Sequence, residues 1–484
     1  MDRLGMGALA RLPGDVARPG YDRAAVTTGI VHLGLGAFHR AHQAAYTEAC
    51  LEAGARDWGI MGVSLRKPDT RDALGPQEGL YTLALRDGGG ERLQVIGALT
   101  GQIVAPEEPA RLLDVLTQPG VRVVTLTVTE KGYTADIAGR RLRVELPEVA
   151  ADLARPDAPM TAVGVMVAAL ARRRAAGVAP FTVLSCDNLP GNGELTHRVL
   201  ADYAGRVDPA LGRFVETDVA CPATMVDRIV PATTDADRAA VAARLGVMDA
   251  WPVVAEPFTE WVIEDRFPQG RPDWERAGAV FVSDVAAWEL MKLRMLNGAH
   301  TTLAAIGRVA GRTTVAEAMG DPVIAGVVRR LWAEVAPTLP GGLDPASYAK
   351  RLEVRFGNPA LRHLTAQIAT DASQKLPQRL LGSLRDLRGR APVIEFAVAA
   401  WMRSCEGQDE AGREIVLNDP VLTGWAGLPG AGLDAQAYVR QMMGFAPVFG
   451  DLGQDETLVA RIAANLAVIR ADGVRAAAVQ RLGV

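Results

Sequence analysis

The chain has 484 residues, too many for one hydrophobic core, and two domains are expected. Hydrophobic residues make up 49% and charged residues 22%, an ordinary balance for a globular protein, and a formal net charge of -4 excludes the basic footprint of a nucleic-acid-binding surface. Cys50, Cys186, Cys221 and Cys405 stand far apart with no CxxC pair, which argues against a disulfide framework and a structural zinc site. The amino-terminal stretch scatters charge and proline where a signal core would be apolar, and no run approaches membrane-spanning length. A cytoplasmic protein with a small-molecule ligand, no membrane and no nucleic acid is therefore expected.

In chain order, Thr28 to Gly36 (TGIVHLGLG) is a short apolar run ending in glycines and reads as a buried strand. The stretch FHRAHQAAYTEACLEAG follows with helical periodicity and closes on Gly54, so strand, glycine turn and helix come in the order of a dinucleotide site. Gly34, Leu35, Gly36, Ala37 and Phe38 form the candidate cofactor turn: glycines let backbone N–H groups approach a pyrophosphate, and the helix amino terminus favours its charge. His39 takes the third glycine position of GxGxxG, so an ordinary strand-to-helix turn competes with this reading. The next strand, Trp58 to Leu65, should pair in parallel with the first. Where an acid would hold the adenosine ribose, the chain has Arg66 and Lys67, with Asp69 a little later. NAD and NADP are not separated by this test; Arg66 either meets a 2′-phosphate or is solvated surface.

Further apolar runs at Leu93 to Leu99 and Val121 to Val128 are predicted strands, and Glu130 emerges just past the second. A helix from about Ala162 to Ala176 precedes another buried strand, FTVLSCDNLPGNG, with Asn188 beyond its end; a simple turn is the competing explanation. Ligands of open α/β sheets gather at such strand ends. Asp227 and Arg228 sit between apolar neighbours in TMVDRIVPAT, as an expected paired charge.

Ala287 to Gly307 (AWELMKLRMLNGAHTTLAAIG) is a predicted helix bearing Lys292, Asn297 and His300. At about 100° per residue they project at roughly 0°, 140° and 80°, one broad face, with Glu289 about 60° to the other side of the lysine. Leu293, Met295 and Leu296 would bury the surface between them, and lysine is seldom buried without a reason. A snorkelling lysine on an ordinary amphipathic helix is the alternative. From about Thr313 onward 3.6-period patterns dominate, predicting an all-helical second domain. Its most polar interior stretch, Arg355 to Arg379, contains Arg362, His363, Asp371, Lys375 and Arg379, and a solvated helix and loop would explain it equally.

Several of these stretches, GLGAFHRAHQA, LTVTEKGY, SCDNLPGNG, MVDRIVPAT, EPFTEWVIEDRF, KLRMLNGAH and SQKLPQRLL, occur in an order that resembles the polyol-specific long-chain dehydrogenases. That is the family of mannitol dehydrogenase and fructuronate reductase (mannonate oxidoreductase). TEKGY, MVDRIVPAT, KLRMLNG and SQKLPQR look closer to the fructuronate reductases. The resemblance implies an α/β fold, with a Rossmann-type amino-terminal domain (1–285), a largely α-helical carboxyl-terminal domain (286–484), a site in the cleft between them, and metal-free chemistry with NAD, NADP not being excluded. It implies Lys292 as catalytic acid/base, Asn188 and Asn297 as donors to the reacting oxygen, His300 as a substrate-orienting group and Glu289 as a proton-relay carboxylate. Glu130, grouped with the cofactor turn, and Asp227, grouped with the substrate residues, look like cleft residues. One departure stands out: fructuronate reductases tend to read HRTWQIAMDGSQKLPQR where this chain, from His363 to Arg379, reads HLTAQIATDASQKLPQR.

In such chemistry a hydride passes between carbon and nicotinamide while a proton moves to or from the oxygen. Lysine serves as a base near neutral pH only if its ammonium form is disfavoured, by burial or a nearby cation. Amide donors stabilise developing alkoxide character with no zinc as Lewis acid. The one close histidine pair, His39 and His42, lacks further ligands nearby to complete a tetrahedral set. A uronate substrate needs a facing cation, for which Lys375, Arg379 and Arg362 are the candidates; His363 completes the expected substrate-binding group. The first expectation is reduction of D-fructuronate to D-mannonate, the nearest rival a mannitol- or D-arabinitol-type polyol 2-dehydrogenase, and the third a non-catalytic nucleotide sensor. A monomer is favoured.

Overall fold

The computed structural model describes residues 2–137, 139–360, 363–389, 391–430 and 432–484. The chain forms two compact units, Met1–Ala286 and Ala287–Val484.

The first unit is built on five strands: β1 (Thr28–Leu33), β2 (Gly59–Ser64), β3 (Leu99–Val104), β4 (Val123–Leu126) and β5 (Thr182–Ser185). They lie in the order β3-β2-β1-β4-β5, every pair parallel. These strands are nearly continuous apolar runs because helices cover both faces of the sheet. Pro109–Thr117, Ala162–Ala175 and Asn192–Val207 contribute Leu112, Leu116, Met166 and Leu200 to one core, while Gln43–Glu52 contributes Tyr46 and Leu51 to the other beside Trp261 and Trp274. Burying each such side chain contributes roughly 1.5–3 kcal/mol. The order reverses beside β1, so the turns after β1 and β4 flank the switch point at which ligands of such sheets bind.

The run Leu93 to Leu99 is not one strand. Leu93 to Ile96 end a strand, Gly90–Ile96, antiparallel to Tyr81–Asp87 in a small side sheet, and Leu99 starts β3. Gly97 separates the two, and an apolar run does not record that turn. The predicted Val121 to Val128 strand is likewise shorter, since Thr129 adopts a left-handed φ of 62° and starts a helical turn, Thr129–Gly132.

The second unit is helical. Its central helix, Pro392–Ser404, is buried from Val393 to Met402 and packs against Glu456–Asp472 and Gly298–Val309. Glu334 caps it: its two carboxylate oxygens accept the Val393 and Ile394 N–H groups at 2.9 Å each, filling donors that no helical carbonyl reaches. Among the described residues no helix is long and apolar enough to cross a membrane.

Candidate functional site

The turn after β1 has the geometry a dinucleotide needs. Gly34 has φ 98°, and a Cβ there would collide with the Thr127 carbonyl oxygen, so only glycine fits. Gly36 is exposed, and a Cβ on it would meet only the Gly34 oxygen at 3.7 Å, which leaves its outer side open to a ligand. Leu35 turns inward and occupies the space where Gly62 of β2 lacks a side chain. Ala37–Ala41 is a short helix whose first N–H groups have no carbonyl within the helix to bond, as pyrophosphate binding requires. Phe38 is half-buried and stacks on His42 at 5.1 Å.

His39, in the third glycine position, lies flat against His32 of β1, ring centroids 3.4 Å apart and planes 13° apart. A third glycine ordinarily permits close helix–strand packing; here two stacked imidazoles achieve it. His32 Nδ1 lies 2.8 Å from the Thr125 hydroxyl, and Nε2 lies 3.0 Å from the Gly34 carbonyl and 2.9 Å from the Thr127 hydroxyl. A carbonyl only accepts, so Nε2 carries the proton and pins the glycine turn from beneath. Burial lowers the His32 pKa to about 3 and holds that of His39 well below the usual histidine range, so both rings are neutral at pH 7. The expected helix from Phe38 to Gly54 is broken at His42 (φ -117°, ψ -89°), and the carbonyls freed there are taken by Tyr81, which donates to Arg40 O at 2.7 Å, and by Arg228, which donates to Ala41 O. Arg228 also donates to the Glu256 carbonyl at 3.0 Å. His42 Nε2 faces the Glu260 carbonyl at 3.0 Å. Among the described residues no group of three or more His, Cys, Asp or Glu side chains is arranged to hold a metal ion.

Past β2, Arg66, Lys67 and Asp69 are all exposed, with Asp69 opening the helix Asp69–Leu74. Past β4 and β5 lie Glu130 and Asn188, both exposed. The intervening Asp187 escaped the sequence reading. It accepts from the Val128 N–H at 2.9 Å, the Thr129 N–H at 3.1 Å and the Tyr133 hydroxyl at 2.8 Å, and burial raises its pKa against the opposing pull of those donors. Its position after an apolar strand was the available signal; its three donors, more than fifty residues earlier in the chain, were not. Asp227 is buried at the end of the strand Thr224–Asp227, opposite Glu260.

In the second unit the polar helix departs from the expected regular α-helix. Ala286–Met291 is α, Lys292–Asn297 is a π turn, and Gly298–Val309 is α again, with the Gly298 N–H donating to the Leu293 carbonyl five residues back. A π turn holds about one residue more than an α turn, so the five-residue step from Lys292 to Asn297 is close to one revolution and not the roughly 140° of a regular α-helix. Asn297 is thus drawn toward the lysine's face. Lys292 and His300 are buried, and Asn297 and Glu289 half-buried. Trp332 Nε1 donates to the Met295 carbonyl at 3.0 Å, and Arg294 donates to the Asp386 carboxylate at 2.6 Å and the Thr338 carbonyl at 2.9 Å, so groups on the turn are bonded from outside it.

A second π turn, Pro377–Leu381, packs on the first; Pro377 has no N–H to give to an α-helical bond. A Cβ on Gly298 would stand 3.0 Å from the Arg379 carbonyl oxygen, the close backbone approach that a glycine next to Asn297 suggests. Arg379 reaches the Thr301 hydroxyl at 3.3 Å. The His300 ring meets Phe356 at 4.5 Å and His363 edge-on at 4.8 Å. Burial, and then His363, Arg355 and Arg379, hold His300 well below the usual histidine range, so it is neutral. Lys375 donates to the Ile368 carbonyl at 3.2 Å and to that of Thr370; its pKa is lowered by burial and by Arg379, while Asp371 and Asp419 oppose. The carboxylate of Asp419 is engaged by the Ser373 N–H and hydroxyl and the Leu422 N–H. Among the described residues neither Lys375 nor Arg379 has an ion-pair partner. Arg362 lies outside the described residues.

Comparison with known proteins matches residues 28–276 to the mannitol dehydrogenase Rossmann domain and residues 284–470 to the mannitol dehydrogenase C-terminal domain. The chain belongs to the mannitol dehydrogenase family. It is 42% identical over 461 residues to D-mannonate oxidoreductase of Escherichia coli (strain K12), covering 93% of this chain and 94% of that one. With the mannitol 2-dehydrogenase of Cereibacter sphaeroides it shares 39% identity over 470 residues, 95% and 98% of the two chains. The structure of Pseudomonas fluorescens mannitol 2-dehydrogenase, a ternary complex with NAD and D-mannitol, superposes with a TM-score of 0.83 at 36% identity over 99% of each chain. Within this family of oxidoreductases, the relatives act on both sugar acids and polyols.

Proposed function

We propose that this enzyme interconverts D-fructuronate and D-mannonate with NAD. The observation that carries the substrate reading is the pair of half-buried cations beside the His300 cluster, Lys375 and Arg379, for which no described carboxylate forms an ion pair. A half-buried cation is stabilised by an anionic partner, and a uronate's terminal carboxylate supplies one. A neutral polyol offers only hydroxyls there.

The glycine turn Gly34 to Phe38 suits a pyrophosphate, with Glu130 and Arg66 assigned to the same cofactor-binding group. When bound, the nicotinamide supplies or accepts the hydride. The rest falls to the chain's own side chains. In the direction of reduction, Asn188 and Asn297 donate to the carbonyl oxygen as it gains negative charge. Lys292 Nζ delivers the proton to that oxygen, and Glu289, three residues earlier on the helix, relays it. His300, neutral, orients a substrate hydroxyl, and Asp227, Arg362 and His363 complete the substrate-binding group.

Following NADH absorbance with fructuronate, fructose and other neutral ketoses in parallel tests this reading. Consumption should be fastest with fructuronate. Equal or greater turnover with neutral ketoses would favour a polyol dehydrogenase, and no turnover with any of them a nucleotide sensor. Lys292→Ala should abolish turnover, and NADPH should support less of it than NADH.

A further inference from the structure

We propose that Asp187 is a positioning residue that locks the loops carrying Glu130 and Asn188 into one rigid edge of the sheet. The inference rests on the roles proposed for those two residues. Asp187 lies on the segment after β5, and all three of its side-chain donors come from the segment after β4. Its Oδ2 accepts from Val128 N at 2.9 Å and from the Tyr133 hydroxyl at 2.8 Å, and Oδ1 from Thr129 N at 3.1 Å. β4 and β5 are already paired up to Leu126 and Ser185, so the carboxylate continues their connection beyond the last strand hydrogen bonds.

Two further observations place strain and anchorage at this point. Thr129 has φ 62°, a left-handed conformation that a β-branched residue adopts only when its surroundings impose it. Asp187 bonds the consecutive N–H groups of Val128 and Thr129, so it holds the peptide that leads into the strained residue. The backbone of Asp187 is itself held: Asn192 Nδ2 donates to the Asp187 carbonyl at 3.1 Å and to the Thr224 carbonyl at 2.9 Å, while Asn192 Oδ1 accepts from Thr224 N at 3.0 Å. Tyr133, buried, shares its hydroxyl between Asp187 and the Ser185 side chain. The strained residue immediately precedes Glu130, and the carboxylate immediately precedes Asn188. One side chain therefore sets the positions of one residue assigned to the reaction, Asn188, and one assigned to cofactor binding, Glu130, and a misplacement of about 1 Å at a reacting group costs on the order of a hundredfold in rate.

The test compares Asp187→Ala, Asp187→Asn and Asn188→Ala by kcat and KM with fructuronate, by NADH affinity from nucleotide fluorescence, and by thermal melting. Asp187→Ala should lower kcat by about ten- to a hundredfold and, through the loop that carries Glu130, also weaken NADH binding, with a retained cooperative melt. Asp187→Asn keeps one oxygen for the Thr129 N–H and should fall between wild type and alanine; it also serves if the alanine variant does not fold. Wild-type kcat in both Asp187 variants, with Asn188→Ala inactive, overturns the positioning role and leaves the site assignment standing. Full activity in Asn188→Ala overturns both. A fall in kcat that is the same for Asn and Ala and follows the fraction of folded enzyme would reduce Asp187 to a structural residue and overturns the proposal.

Discussion

Two glycines and one lysine show how much a single position decides. At Gly34 any side chain strikes the Thr127 carbonyl and must also bear φ 98°, so Gly34→Ala should weaken NADH binding by more than tenfold, measured by fluorescence titration, and lower Tm. Gly298 has an α-helical φ of -61° and a gap of 3.0 Å to the Arg379 oxygen. There alanine needs a shift of only a few tenths of an ångström, and Gly298→Ala should reduce kcat several-fold while the protein stays folded. Lys375 tests the substrate. A hydrogen bond to a charged partner is worth about 1.5–3 kcal/mol, so Lys375→Ala should raise KM for fructuronate by about ten- to a hundredfold. An unchanged KM would refute its part in binding. The identity of these residues was legible in the sequence, and so was the glycine requirement in the turn. That Gly34 is required by Thr127, 93 positions later, was not, because the clash exists only once β1 and β4 pair.

At the scale of elements, the π turn at Lys292–Asn297 is the feature that apolar periodicity missed. Regular 3.6 spacing describes the α segments on both sides, Ala286–Met291 and Gly298–Val309, but one added residue in a turn leaves the apolar pattern nearly intact. Its external bonds come from distant parts of the chain, Trp332 and Asp386 among them. Trp332→Phe keeps the aromatic packing and removes the Nε1–H from the Met295 carbonyl in the interior. The Met295 carbonyl keeps the Gly298 N–H, so the change removes one hydrogen bond worth about 0.5–1.5 kcal/mol; Tm should fall by a few degrees at most and kcat with it, as the turn relaxes. A fall in Tm with kcat untouched would detach the turn's geometry from the chemistry. The same principle explains the break at His42, where Tyr81 and Arg228 take carbonyls that a continuous helix would have used.

For the molecule as a whole, buried acidity sets a dependence of stability on pH. Glu48 is 1% exposed; its Oε2 accepts from the Tyr21 hydroxyl at 3.0 Å and Gly97 N at 2.8 Å, while burial lifts its pKa from 4.5 to about 7. The folded state therefore binds this proton more tightly than the unfolded chain does. The contribution is fully present below about pH 4.5 and is lost as pH rises through about 7. Glu48→Gln should accordingly stabilise the protein at pH 8 by up to about 3 kcal/mol and change little at pH 4.5, read from denaturant melts at the two pH values. The four cysteines are all buried, and burial raises every thiol pKa, to about 12 for Cys50, Cys221 and Cys405. A thiol reagent should react slowly with native protein and with all four cysteines after unfolding.

The sequence by itself determined the class of fold, the order strand, glycine turn and helix, and the helical second half, and it supplied the types of residue proposed for the site, because these follow from local periodicity and from chemistry carried by adjacent residues. Only the tertiary structure decided how that chemistry is held: the His32–His39 stack in place of a third glycine, the clamp of Asp187 on Val128 and Thr129, the π turn beneath Lys292 and Asn297, and the half-buried Lys375 and Arg379 near His300. Most depend on groups distant in the chain and brought together by burial. The cost of leaving a buried donor, acceptor or charge without a partner selects such arrangements, and that cost does not exist until the chain is folded.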